Sequence, residues 1–151
     1  MIGFSDAENS YLRKTRFRFT GGIGGGYDIV NNSKLKLSLS ELIMPECYIS
    51  EDEPNKNIIS IRPSTRIKFK YNDKVNFESV TYFQPSIWTS NHIGFVDNIN
   101  FRTINTLDVP ITKHLSIGTQ IMIQVFTLPR YFDSSVKIMD TNLSLLLKAY
   151  F

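Results

Sequence analysis

No apolar run in the 151 residues approaches the roughly 20 that a membrane-crossing helix needs, so a helical membrane protein is excluded. A β-barrel is not, because a polar lumen dilutes the hydrophobicity of a chain that crosses lipid with strands. Cysteine is almost absent, and the single Cys47 has no partner for an internal disulfide. Histidine is scarce: His92 and His114 fall in different predicted connections, at opposite ends of the strands, so they share neither a metal nor a catalytic triad. No spacing of Cys, His, Asp and Glu matches a metal site. The glycine cluster Gly21, Gly22, Gly24, Gly25 and Gly26 lacks a following Gly-Lys-Ser/Thr and the dinucleotide spacing, which argues against a nucleotide loop. Charge of one sign is nowhere concentrated. The net +3 is spread along the chain, so no nucleic-acid tail is expected. Helical periodicity of useful length is missing as well.

What remains is alternation. Aromatics make up 13% of the chain, and Phe, Tyr, Ile and Thr favour strands. The closing stretch Asp140–Phe151 sets Leu143, Leu145, Leu147, Ala149 and Phe151 on one face. Asn142, Ser144, Lys148 and Tyr150 take the other. Before it, period-two runs cover Arg16 to Val30, Lys34 to Ile49, Ile58 to Tyr71, Val75 to Pro85, Val96 to Val109 and Leu115 to Phe126. Residues 1–14 read as a polar lead-in without the apolar core of a secretion signal. Bulges are expected where phase or proline disturbs a strand, at Leu42–Pro45, Pro63 and Pro85.

Two regularities choose the architecture. Short turns (31–33, 72–74 and 110–114) alternate with longer connections, and all lie at the end where the chain stops. The predicted strands reach a dozen residues or more, whereas globular strands usually have about five or six and a tilted membrane-spanning strand about 9–11. The expectation is an all-β, antiparallel transmembrane barrel of the outer-membrane type, one domain over 1–151, with about seven strands. Bacterial barrels have even strand numbers. A strand is therefore missing upstream, or the N-terminal segment supplies one. We expect a longer native protein with upstream strands and a signal peptide.

Several landmarks are similar to those of one family: the Arg-rich approach to the glycines with Tyr27, Arg62-Pro63-Ser64, Tyr82-Phe83-Gln84-Pro85, and Val109 to Ser116 followed by a Tyr/Asp loop, Asp140 and the final strand. Over about Arg13 to Phe151 the chain resembles the salt-induced outer-membrane proteins, a β-barrel domain family of unknown function. The resemblance implies a Gram-negative outer-membrane location and no known catalytic residues.

The polar face carries the candidate site. Arg16, Arg18, Lys36, Arg62, Arg66, Lys68, Lys70, Arg102 and Lys148 share it with Asp28, Glu78 and Asp108. Rings of Arg and Lys favour anions in pores, so these residues are expected to form an anion-binding lumen. The bland alternative is that ion pairs fill a narrow barrel. Leu143, Leu145, Leu147 and Phe151 form the expected membrane-insertion strand. Tyr11, Tyr27, Tyr48, Tyr71, Trp88, Tyr131 and Tyr150 lie near strand ends, where a membrane barrel places its aromatic girdles. The functional expectation is an envelope structural role or passive handling of small anionic solutes. The partners would be the lipid bilayer and the outer-membrane assembly machinery, with no cofactor, metal, nucleic acid or enzymatic site. The chief alternative is a soluble, lipocalin-like barrel with the apolar stripe turned inward around a small ligand. A β-rich adhesin fragment would need exposed polar repeats, which are absent.

Overall fold

The computed structural model describes residues 2–10 and 14–149. Their strands are β1 (Ile2–Ser10), β2 (Thr15–Asn31), β3 (Leu35–Ser50), β4 (Asn57–Asn72), β5 (Asn76–Pro85), β6 (Trp88–Thr89), β7 (Ile99–Pro110), β8 (Leu115–Phe126) and β9 (Met139–Ala149). Eight of them form an antiparallel meander in the order β1-β2-β3-β4-β5-β7-β8-β9, and the short β6 pairs with β4 beyond the end of β5. Among the described residues, helix is confined to a 3-10 turn at Val96–Asn98 and to α1 (Leu128–Phe132), inside the two longest connections. No helix among the described residues is long and apolar enough to cross a membrane.

The sheet curls. One cavity is walled by residues of β1, β2, β3, β4, β5, β7 and β8 together. Arg18 of β2 lies 4.6 Å from the ring of Phe126 at the end of β8, which a flat sheet would hold many strands away. Glycine permits part of this. A Cβ on Gly24 would sit 2.0 Å from the backbone oxygen of Glu41 on β3, so only a residue without one lets the strands approach so closely.

The alternation read from sequence sorts the faces. Ile23, Ile43, Ile67, Ile117, Ile121, Leu143, Leu145 and Leu147 are exposed on the convex side, Leu145 by 81%. Arg18, Ser40, Glu46, Ser60, Arg62, Ser64, Gln84 and Asn100 are buried on the concave side. A small apolar cluster of Tyr48, Ile58, Ile93, Phe126 and Leu128, with Phe132 against it, caps the end of the sheet that carries the long connections.

Several expectations need correction. Residues 2–10 are a strand, paired with β2 through Gly3↔Ile23 and Glu8↔Arg18, so the meander has eight strands where about seven were expected. The bulges fall elsewhere: the register of β3 with β4 runs unbroken through Met44↔Arg62 and Ile43↔Pro63. The β4–β5 ladder stops at Thr65 and β6 takes over at Ile61, leaving Pro63, which has no N–H to offer, in the interval. Pro85 pairs in register with Ile99 at the strand end. The irregularities are instead at Glu8/Ser10, Thr15/Phe17 and Asp28/Val30. Tyr48 is no girdle residue either. It is fully buried, stacked on Phe132 and edge-on to Phe126. Tyr27, Tyr71, Trp88 and Tyr131 are exposed, while Tyr11, Tyr150 and Phe151 lie outside the described residues.

Candidate functional site

The concave face is crossed by a continuous polar network just inside the apolar cap. Its centre is Glu46, a residue to which the sequence reading gave no role. Arg18 Nε donates to Glu46 Oε2 at 2.5 Å, and Arg62 Nε donates to Oε1 at 2.8 Å. The hydroxyls of Ser60 and Thr20 donate to the same carboxylate at 3.1 and 3.4 Å. Arg18 reaches back to Glu8 of β1 at 3.2 Å. Arg62 reaches forward, donating to the backbone oxygens of Gln84 and Asn98 at 3.0 and 3.1 Å and to the side-chain oxygen of Asn98. Gln84 and Asn100 continue the chain through Asn100 Nδ2 to Gln84 Oε1 at 2.6 Å, and Gln124 Nε2 donates on to Asn100 at 3.4 Å.

Such an arrangement is what burial demands. A guanidinium removed from water needs a counter-charge and partners for its five N–H groups. Arg62 finds both on two neighbouring strands, β3 and β5, and the 3-10 turn while its exposure is 0%. Phe126 lies against both cations, 4.6 Å from Arg18 and 5.8 Å from Arg62.

The other expected lumen cations divide into two sets. Lys68 and Lys70 both pair with Glu78, at 2.8 and 2.7 Å, and Lys148 pairs with Asp108 at 3.1 Å. Arg66 and Arg102 have no acidic partner among the described residues and line a cavity of about 430 Å³ in the middle of the concave face. Lys36 is exposed beside the 32–34 turn, opposite Lys70. Arg16 is misplaced by the sequence reading. The irregularity between Thr15 and Phe17 puts Thr15 in step with the buried Arg18 and Thr20, and leaves Arg16 exposed. Asp28 keeps the inward register, opposite Ser38, but at the short-turn end it is exposed and accepts a hydrogen bond from Asn31 at 3.1 Å.

A second cavity of about 650 Å³ opens at the short-turn end, bordered by Lys70, Glu78, Asp108 and Lys148. His92 stays among the long connections and His114 in the turn at the other end. Among the described residues no group of His, Cys, Asp and Glu could hold a metal ion. Leu143, Leu145 and Leu147 all face outward from β9.

At the mouth on the long-connection side, Lys14 bonds to Asp52 at 3.2 Å and to Asp133 of the segment after α1. That contact holds the Asp133 carboxyl well below the usual carboxylate range. The hydrogen bond from Lys14 is the main cause, helped by the hydroxyl and amide of Ser135. The same bonds raise Lys14 above the ordinary lysine value.

No curated protein and no solved structure matches the chain. One family model does, described as a protein of unknown function, DUF481, over residues 1–148.

Proposed function

The chain belongs to the DUF481 family, and we propose that it forms the wall of an outer-membrane β-barrel in a Gram-negative envelope. Its role is structural, with passive handling of small anionic solutes by the basic concave face. One observation carries this reading. Leu145 is 81% exposed on the convex face, while Arg62 and Glu46 are 0% and 2% exposed on the concave face. In water that arrangement leaves a large apolar surface uncovered. In lipid it is the favourable one, because hydrocarbon meets leucine and isoleucine while the polar groups stay inside. A lipocalin-like barrel would need the reverse, with the apolar stripe packed around its ligand.

The resemblance to salt-induced outer-membrane proteins supports the same location. Lipid is then the main partner, and the outer-membrane assembly machinery inserts the strands. The Glu46 network blocks the long-connection end with paired charge, so solutes are handled from the short-turn end. No catalytic step belongs to this reading. Fractionation of cells together with gel mobility of unheated and heated samples tests it. The protein should sediment with the outer membrane and shift on heating; a soluble product with no shift overturns the proposal.

A further inference from the structure

Two inward cations with no acid partner among the described residues, Arg66 and Arg102, stand in one row. Arg66 of β4 lies opposite Tyr82 of β5, and Tyr82 lies opposite Arg102 of β7. Neighbouring strands are about 4.8 Å apart, so the two arginines are rooted roughly 10 Å from each other with one phenol between them. Arg66 Nε donates to Tyr82 Oη at 3.3 Å, and its guanidinium lies 5.8 Å from that ring. The remaining guanidinium N–H groups of Arg66, and all those of Arg102, are uncommitted to any described residue. Both side chains line the cavity of about 430 Å³, whose wall on the long-connection side is Arg18, Gln84 and Asn100 of the buried network. That volume falls in the ordinary range for small-ligand sites.

Three features select a ligand. Two guanidinium forks without a counter-ion recognise a carboxylate through parallel charge-assisted hydrogen bonds. Leu42 and Met44, both buried on the same wall, offer apolar surface rather than further donors. Asp6 and Glu8 on β1 also border the space, and their charge disfavours a polyanion. We infer that this cavity is a closed-ended binding site for a small organic monocarboxylate. Arg66 and Arg102 hold the carboxylate, and Leu42 and Met44 meet the apolar body. The inference deepens the anion handling proposed above and rests on the barrel reading only for the side from which the ligand arrives. Binding itself needs only the folded sheet.

The test uses the full chain refolded in detergent micelles. Heat-dependent gel mobility reports the barrel, and calorimetric titration reports binding of benzoate, benzamide and inorganic phosphate. Benzoate should bind, with benzamide and phosphate weaker by about tenfold or more, the worth of a charge-assisted bond. Arg66→Gln and Arg102→Gln should each cost a similar factor. Arg66→Lys should retain part of the affinity, since charge survives without the fork. Arg16→Gln, outside the cavity, should change nothing. The inference is overturned if a chain that passes the mobility assay ignores benzoate. It is also overturned if benzamide or phosphate binds as tightly, or if the double Arg66→Gln, Arg102→Gln variant binds undiminished. Should benzoate bind a chain that shows no mobility shift, the site stands and the membrane reading falls.

Discussion

Arg62 donates from Nε to Glu46 Oε1 across 2.8 Å, and neither side chain touches solvent. Arg18 approaches the other oxygen of the same carboxylate, so one acid serves two buried cations. The group is tied to β1 through Glu8 and to β5 and the 3-10 turn through Arg62, which makes it the cross-brace of the curled sheet.

Removing the acid alone should therefore be severe. Glu46→Leu leaves Arg62 buried without a counter-charge and Arg18 with Glu8 alone, at a cost of about 3–5 kcal/mol, the range for breaking a buried pair. Replacing all three together, Arg18→Met, Glu46→Leu and Arg62→Met, should restore most of the loss, because an apolar core of similar volume has no charge to desolvate. Urea unfolding midpoints in detergent compare the two. Equal midpoints for Glu46→Leu and wild type would remove the brace from the account.

Glycine makes a second, position-specific prediction. Gly24→Ala places a methyl within 2.0 Å of the Glu41 backbone oxygen, whereas a Cβ on Gly25 meets nothing within 4 Å. The first substitution should destabilise by about 1–3 kcal/mol, the usual cost of overpacking, and the second should be nearly silent. The same unfolding measurement decides it.

Much of this sheet was legible in the sequence, and the illegible parts have physical causes. Strands β3, β4, β8 and β9 declare themselves because Leu35/Leu37/Leu39, Ile59/Ile61, Ile117/Ile121 and Leu143/Leu145/Leu147 alternate strictly with polar residues, and the period of two fixes which face each side chain takes. Strand β1 has little of that pattern. Its Ser5, Asp6, Ala7, Glu8 and Asn9 are poor strand formers, and the pairing comes from β2. Glu46 was hidden for another reason. It follows Pro45 in a stretch whose apolar pattern blurs, and nothing local announces that Arg18 and Arg62, far away in sequence, converge on it. Arg16 was lost to one irregular pair, since a single extra residue reverses the face. Of the candidate cations, the alternation placed Arg18, Arg62, Arg66, Lys68, Arg102 and Lys148 on one face, but which of them are neutralised depends on cross-strand partners that only the register reveals.

The contact between Lys14 and Asp133 gives a pH prediction outside the strands. Asp133 is held below the ordinary aspartate range, so its contribution is present above that range and is lost as pH falls through the depressed folded value. Lys14 is raised, so its contribution is full below the ordinary lysine range and is lost as pH rises through the raised value. The contact is intact between those limits and weakens with salt, because both groups reach solvent. Carbon NMR titration of the Asp133 carboxyl should show the depressed value, and Lys14→Gln should return it toward the ordinary range. No change on that substitution would contradict the assignment.

A charge on the convex face should be costly in lipid. Leu145→Arg is expected to lower folding stability in vesicles by about 2–4 kcal/mol if that position lies near the bilayer midplane. Gln120→Arg, on the concave face beside the second cavity, should be tolerated. Reversal of that order would place the hydrocarbon on the wrong side.

The most direct measurement is the surroundings of Leu145 itself. A nitroxide attached to Leu145→Cys in a Cys47→Ser background, reconstituted in lipid vesicles, reports collision with dissolved oxygen and with a water-soluble nickel chelate. The account predicts high access for oxygen and little for nickel, because the leucine row faces acyl chains. Strong nickel access, or a label immobilised and shielded from both, would contradict it.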